Sequence, residues 1–176
     1  MSNDIKVLIV DDSLIFRSLV SEALKELSGV TICGSVRSGK LALEYIANNK
    51  PDLITLDYKM PEMNGFETLL EINRVNDKLC EKDKIHCIML SSQPDAVKCL
   101  ENGAEELIQK PNEGDVDLNR RILKIMLRKS INRIFEGTVF NTAFSTTNYD
   151  KIKALNPSLS EKINSQYEAI VIGSST

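Results

Sequence analysis

The feature that most constrains this chain is an alternation of short, continuous apolar runs with helix-length amphipathic segments. The runs occupy residues 7–10, 30–33, 53–56, 85–90 and 106–108. Most are unbroken rather than alternating, the pattern of strands buried on both faces of a parallel sheet. The segments between them carry helical spacing. Residues 14–27 place Ile15, Leu19, Ala23 and Leu27 on one stripe, and residues 40–47, 66–75 and 95–100 follow. Parallel neighbours need long crossovers, usually helical, and these segments supply them. The pattern predicts an α/β fold, (βα)5, with right-handed crossovers.

Local signals agree with that reading. Ser13 is placed to cap the first helix, Gly29 and Gly103 stand where helices stop, and Pro51 ends the second helix. A fifth helix is expected over residues 115–135, with Leu118, Ile122, Ile125 and Lys129 on its stripe and Met126 beside it. Arg120, Lys124 and Arg128 form a basic stripe on another face, which reads as a solvated face or as a site for an acidic partner. Composition shifts after Phe135. Residues 136–166 are rich in Asn, Ser and Thr and weakly periodic, which predicts a linker with a short helix near residues 149–155. Residues 167–172 begin a new apolar strand, followed by Gly173-Ser174-Ser175-Thr176. The expected organisation is a domain over residues 1–135, a linker over 136–166, and the first strand of a second domain over 167–176.

Bulk properties exclude several classes. A net charge of −3 provides no global basic surface for nucleic acid. Four scattered cysteines and a single histidine argue against a zinc site and for a reduced, cytoplasmic chain. The first apolar run is short and acids follow it directly, so no signal peptide is expected. No apolar stretch approaches the roughly 20 residues that a membrane span requires, so no membrane insertion is expected.

The chemistry is expected beyond the carboxyl ends of the strands, where open α/β sheets bind ligands. The first run ends in Asp11-Asp12, the third in Asp57, the fourth in Ser91-Ser92 and the fifth in Lys110-Pro111. Clustered carboxylates repel one another unless a cation sits among them, and a few hard oxygen donors with room for water suit Mg²⁺. A metal and a lysine would neutralise a phosphoryl group while the remaining carboxylate attacks phosphorus. Taken singly, each residue has a plainer reading: Asp11 or Asp12 as a helix cap, Asp57 as a turn residue, Ser91 as a turn hydroxyl, Lys110 as a solvated charge. Those readings leave unexplained why all of them fall at strand ends.

Val10-Asp11-Asp12-Ser13, the stretch Leu56-Asp57-Tyr58-Lys59-Met60-Pro61 continuing to Gly65, Met89-Leu90-Ser91-Ser92 and Gln109-Lys110-Pro111 resemble, in order, the four signatures of two-component receiver domains. The expected fold is then a doubly wound, parallel five-stranded sheet, flavodoxin-like, with strand order 2-1-3-4-5. The resemblance implies Asp57 as phosphoacceptor. It implies Mg²⁺ held by Asp12, Asp57 and the backbone carbonyl of Lys59, with Asp11 acting through water. It also implies Ser91 and Lys110 as phosphoryl contacts, a cis bond before Pro111 and a histidine kinase as phosphodonor. One position departs from the pattern. Many receivers carry an aromatic switch residue three places before the lysine, where this chain has Leu107.

Residues 168–176 (EAIVIGSST) resemble the start of the catalytic domain of chemotaxis protein-glutamate methylesterases, whose nucleophilic serine maps onto Ser175. That implies a receiver that covers an esterase site and releases it on phosphorylation, with chemoreceptors as the eventual substrate. A Ser-His-Asp site needs a base, and His86 is the only histidine, so these residues alone are expected to lack esterase activity. Two other readings compete. One is a receiver with a DNA-binding output or none. The other is a phosphatase with an aspartate nucleophile, for which Asp11-Asp12-Ser13 lacks the D-x-D-x-T spacing.

Overall fold

The apolar runs form five parallel strands: β1 (Ile5–Val10), β2 (Val30–Val36), β3 (Leu53–Asp57), β4 (His86–Ser91) and β5 (Glu106–Gln109). The computed structural model describes residues 4–135. The strands lie in the order β2-β1-β3-β4-β5, as expected. β1 and β3 are fully paired neighbours, and Leu8, Ile9, Leu53, Ile54 and Leu56 are all buried to within 2%. An irregularity in the β1–β2 register between Val7 and Leu8 lets Cys33 fall out of step, so that Leu8 pairs with Gly34.

The helices are α1 (Leu14–Lys25), α2 (Gly39–Asn48), α3 (Gly65–Asn76), α4 (Lys98–Glu101) and α5 (Val116–Ile134). Alternation along the strands divides the core. Leu8, Val10, Ile54, Leu56, Cys87 and Met89 pack in one cluster with Ala42 and Ile46 of α2, Leu69 and Ile72 of α3, and Cys99 of α4. Val7, Ile9 and Ile88 face the other way, on the side where α1 packs against α5. Ser13 caps α1 through its side-chain oxygen, and Gly29 and Gly103 adopt positive φ where helical segments end.

Three expectations need correction. Ile15 is not on the buried stripe of α1: it is 80% exposed, and the buried residues are Leu19, Val20, Ala23 and Leu24. The first turn of α1 is exposed or half-buried throughout, and burial begins one turn later at Leu19. The helix expected over residues 95–100 is half a 3-10 turn, Pro94–Val97, followed by only four α-helical residues. Pro94 supplies no backbone donor and Gly103 ends the segment soon after, which leaves little room for a longer helix. In α5 the buried set is Ile122, Leu123, Ile125, Met126, Leu127, Ser130 and Ile131, while Lys129 is exposed. No described helix is long and apolar enough to cross a membrane.

Candidate functional site

Because all five strands are parallel, their carboxyl ends lie on one edge, and the loops leaving them meet there. Asp57 is the last residue of β3 and Ser91 the last of β4, while Asp11 and Lys110 directly follow β1 and β5. The Lys110 ammonium lies 2.6 Å from Asp11 Oδ2 and 2.8 Å from Asp57 Oδ1. Both carboxylates are buried, at 1% and 4% exposure, whereas Asp12 is exposed. One oxygen each of Asp11, Asp12 and Asp57 lies within 4.8 Å of the others. The Lys110 ammonium also sits 4.3 Å from the ring centroid of Phe16, which covers it from the α1 side.

The backbone holds this arrangement firmly. The Lys110 N–H donates to the Ser91 carbonyl at 2.8 Å, and the Ser13 N–H donates to Asp11 Oδ1 at 2.8 Å. Arg17 donates to the carbonyls of Asp11 and Asp12 at 2.8 and 3.1 Å, fixing the acidic turn from the first turns of α1. The Lys59 N–H donates to Asp57 Oδ1 at 3.3 Å. Gly65 opens α3 against the backbone of the acceptor strand. A Cβ there would lie 2.1 Å from the Asp57 carbonyl oxygen, so no other residue fits without moving the loop.

Two buried carboxylates share one ammonium, so the pocket is short of positive charge. Burial pushes the Asp57 carboxyl up to about 6, and the neighbouring Asp11 charge adds to the rise. Hydrogen bonding and charge from Lys110, and the Lys59 N–H, hold it down. Three oxygen donors, one of them facing solvent, fit a hard divalent cation with part of its water shell retained.

The structure brings Asp11, Asp12, Asp57 and Lys110 together, with Ser91 on the same rim. The Ser91 hydroxyl is engaged with Gln93, accepting from its N–H at 2.9 Å and donating to its carbonyl at 3.3 Å. Leu107 is half-buried and packs against the α2–α3–α4 core, paired in register with Met89. No cis peptide occurs among the described residues, so the cis bond expected before Pro111 is absent. Residues 110–115 connect β5 to α5, a longer path than a tight turn. Ser175, the short helix expected at 149–155 and the strand expected at 167–172 lie outside the described residues.

Phe16 and Arg17 were not picked out from the sequence, and Gly65 stood there only as the end of a signature, with no role of its own. The first two carried one available signal, their position in the opening turns of a helix that starts at the acidic rim. The basic stripe of α5 finds its acidic partner within the chain: Arg120 and Lys124 both pair with Glu26 at the end of α1.

A doubly wound α/β domain with buried carboxylates and a lysine at its carboxyl rim defines a class of aspartate-based switch domains. Residues 7–123 match the response regulator receiver domain, and the chain belongs to that family. It is 34% identical to a protein-glutamate methylesterase/protein-glutamine glutaminase from Desulfotalea psychrophila, over 98% of this chain and 50% of the relative. A counterpart from Geobacillus kaustophilus is 32% identical over 98% of this chain and 48% of its own length. The chain thus spans about half the length of these curated relatives. Among solved structures, the response regulator domain of Thermotoga maritima CheB is similar with a TM-score of 0.62 and 30% identity, covering 73% of this chain and 95% of that one. A CheX-CheY-BeF3-Mg complex from Borrelia burgdorferi matches with a TM-score of 0.59 and 26% identity, over 74% of this chain and 88% of that one.

Proposed function

We propose that Asp57 accepts a phosphoryl group from a histidine kinase and that the resulting change relieves inhibition of a receptor-glutamate methylesterase. The observation that carries the reading is the Lys110 ammonium bridging two buried carboxylates at 2.6 and 2.8 Å. An Asp57 oxygen attacks phosphorus, the P–N bond to the donor imidazole breaks, and the imidazole leaves with the bonding pair. Lys110 offsets charge on the incoming oxygens, and Ser91 donates to one of them after leaving Gln93. Mg²⁺, which accompanies BeF3 in the Borrelia complex, would be held by Asp12, Asp57 and the Lys59 carbonyl, with Asp11 acting through water. Its charge would neutralise phosphoryl oxygens as they approach the acidic pocket.

Similarity to methylesterases over 98% of the chain supports the coupling to chemotaxis, with chemoreceptors as substrates and the cytoplasm as the location. In this reading residues 1–135 are the receiver, 136–166 the linker and 167–176 the opening strand of the catalytic domain, with Ser175 as its nucleophile. The test is labelling by a phosphodonor with Mg²⁺ present. The wild-type chain takes up label and Asp57→Asn does not; undiminished label in the variant moves the acceptor elsewhere. Lys110→Ala is expected to accept label more slowly. In the full-length protein it is expected to fail to activate the esterase, and normal activation by that variant would remove Lys110 from the relay.

A further inference from the structure

The Ser91 hydroxyl is tied to a segment that reaches across the rim. Gln93, its partner, also accepts from the Ala96 N–H at 3.4 Å, which closes the turn Pro94–Val97. That turn delivers Lys98, whose ammonium crosses to the β3–α3 side. It lies 4.7 Å from the ring centroid of Phe66 and 5.5 Å from that of Tyr58. Both rings stand on backbone bonded to the acceptor strand. Tyr58 directly follows Asp57; its N–H donates to the Leu90 carbonyl at 3.0 Å and its carbonyl accepts from the Gly65 N–H at 2.9 Å. Phe66 follows Gly65 in the first turn of α3.

We propose that Lys98 is a positioning residue: seated on Phe66 and Tyr58, it holds the β4–α4 loop in the arrangement that keeps Ser91 bonded to Gln93. The proposal rests on Asp57 being the phosphoacceptor. A serine has one O–H, so Ser91 cannot donate to a phosphoryl oxygen and to the Gln93 carbonyl together. Turning inward frees Gln93 and loosens the turn that carries Lys98. The ammonium's attraction to the rings falls as it leaves their faces. The clasp therefore favours one arrangement of the loop, and a phosphoryl group favours the other. Leu107 stands where an aromatic would otherwise respond to the serine, and it has no quadrupole with which to engage a cation.

Removing the clasp should lower the cost of the inward turn and so tighten binding of any ligand that requires it. The test titrates the 176-residue chain with beryllofluoride at fixed Mg²⁺, following the backbone amide signals of Gln93 and Ala96 by NMR. Lys98→Met, which keeps the apolar stem, should tighten binding by about 2- to 5-fold, the range set by one cation–π contact. Lys98→Arg, which returns a cation to the rings, should restore wild-type affinity. Phe66→Leu should tighten binding too, and adding Lys98→Met to it should give less than the additive gain, because only the longer Tyr58 contact remains to be lost. Equal affinities for wild type and Lys98→Met overturn the proposal, as do fully additive effects with Phe66→Leu. If the wild-type chain itself does not bind beryllofluoride, the phosphoacceptor reading has failed and the clasp falls with it.

Discussion

The two helices that flank β5 are held in opposite ways. α5 runs for 19 residues and buries a continuous face from Ile122 to Ile131. Its basic side is tied to Glu26 of α1 through Arg120 and Lys124, and Arg133 near its end pairs with the buried Glu106 of β5. α4 has 4 residues, one of them, Cys99, fully buried. It is reached through a 3-10 turn that the Ser91–Gln93 pair, the Lys98 clasp and the buried Ala96 help to hold, and Asn73 of α3 donates to the Asn102 carbonyl just beyond it at 2.6 Å. Asp57 and Ser91 lie between these two walls. A change at the pocket is therefore expected to displace the more lightly held wall, with α5 and β5 as the frame against which it moves.

The largest expected effect tests that contrast directly. Leu123 is fully buried, and Leu123→Ala should cost about 2–5 kcal/mol through lost burial and an unfilled cavity. Leu100, half-buried in α4, should cost no more than about 1–2 kcal/mol on the same change. Urea unfolding measures both. Equal losses would mean that the α4 wall is as firmly built as α5. Hydrogen exchange sharpens the point: amides of the α5 core should open only with global unfolding, and those of Lys98–Glu101 well before it.

Asp57 gives the next effect, of opposite sign. Its carboxyl titrates at about 6 in the folded chain, above the ordinary value of 3.8, so the folded state holds the proton more tightly than the unfolded state. The resulting stabilisation is complete below 3.8 and is lost as pH rises through about 6. At neutral pH the ionised, buried group is a cost. Without divalent metal, Asp57→Asn should therefore be more stable than wild type at pH 7.5 by about 1–3 kcal/mol. The gap should close as pH falls toward 4, and Mg²⁺ should narrow it by stabilising the wild type. A variant no more stable than wild type at pH 7.5 would show that Lys110 alone already compensates both acids.

Much of this was legible in the sequence, for a physical reason. Strands buried on both faces cannot hide their pattern, so the runs containing Ile9, Ile54 and Ile88 announced a parallel sheet. Parallel order then placed Asp11, Asp57, Ser91 and Lys110 on one edge. What stayed hidden depended on distances between segments far apart in the chain. Ile15 has helical spacing with Leu19, yet it is exposed, because where along a helix packing begins is not encoded in its periodicity. Lys124 could be seen to be basic, but its pairing with Glu26 needs the packing of α1 on α5. Lys98 gave no signal, because a cation over rings more than thirty residues away looks like any surface lysine.

A smaller effect concerns the frame. Glu26 accepts from both Arg120 and Lys124 at partly exposed positions, with the Lys124 contact at 2.5 Å. Glu26→Gln leaves two cations one helical turn apart without their acid. It should cost about 0.5–1 kcal/mol at low salt, and the loss should shrink at about 1 M salt as screening removes both the attraction and the repulsion. A loss that salt does not change would mean that Glu26 contributes through packing rather than charge.

The smallest effect lies at the opposite edge of the sheet, under the same frame. Glu105 pairs with His86 Nδ1 at 2.7 Å, and Arg133 lies close enough to add its charge. The His86 contact chiefly holds the Glu105 carboxyl below its usual range, with Arg133 assisting and burial opposing. A depressed carboxylate stabilises the fold above its unfolded pKa, and that contribution disappears as pH falls through the folded value. Glu105 is 42% exposed on its side chain, so water screens most of the interaction. Glu105→Gln should cost less than about 0.5–1 kcal/mol at pH 7 and nothing below about pH 4, as read from unfolding midpoints at both values. Because the pair ties the start of β4 to the start of β5, it braces the frame and not the moving wall. Beryllofluoride affinity should therefore be the same in Glu105→Gln as in wild type, whereas a changed affinity would place this edge of the sheet within the switch.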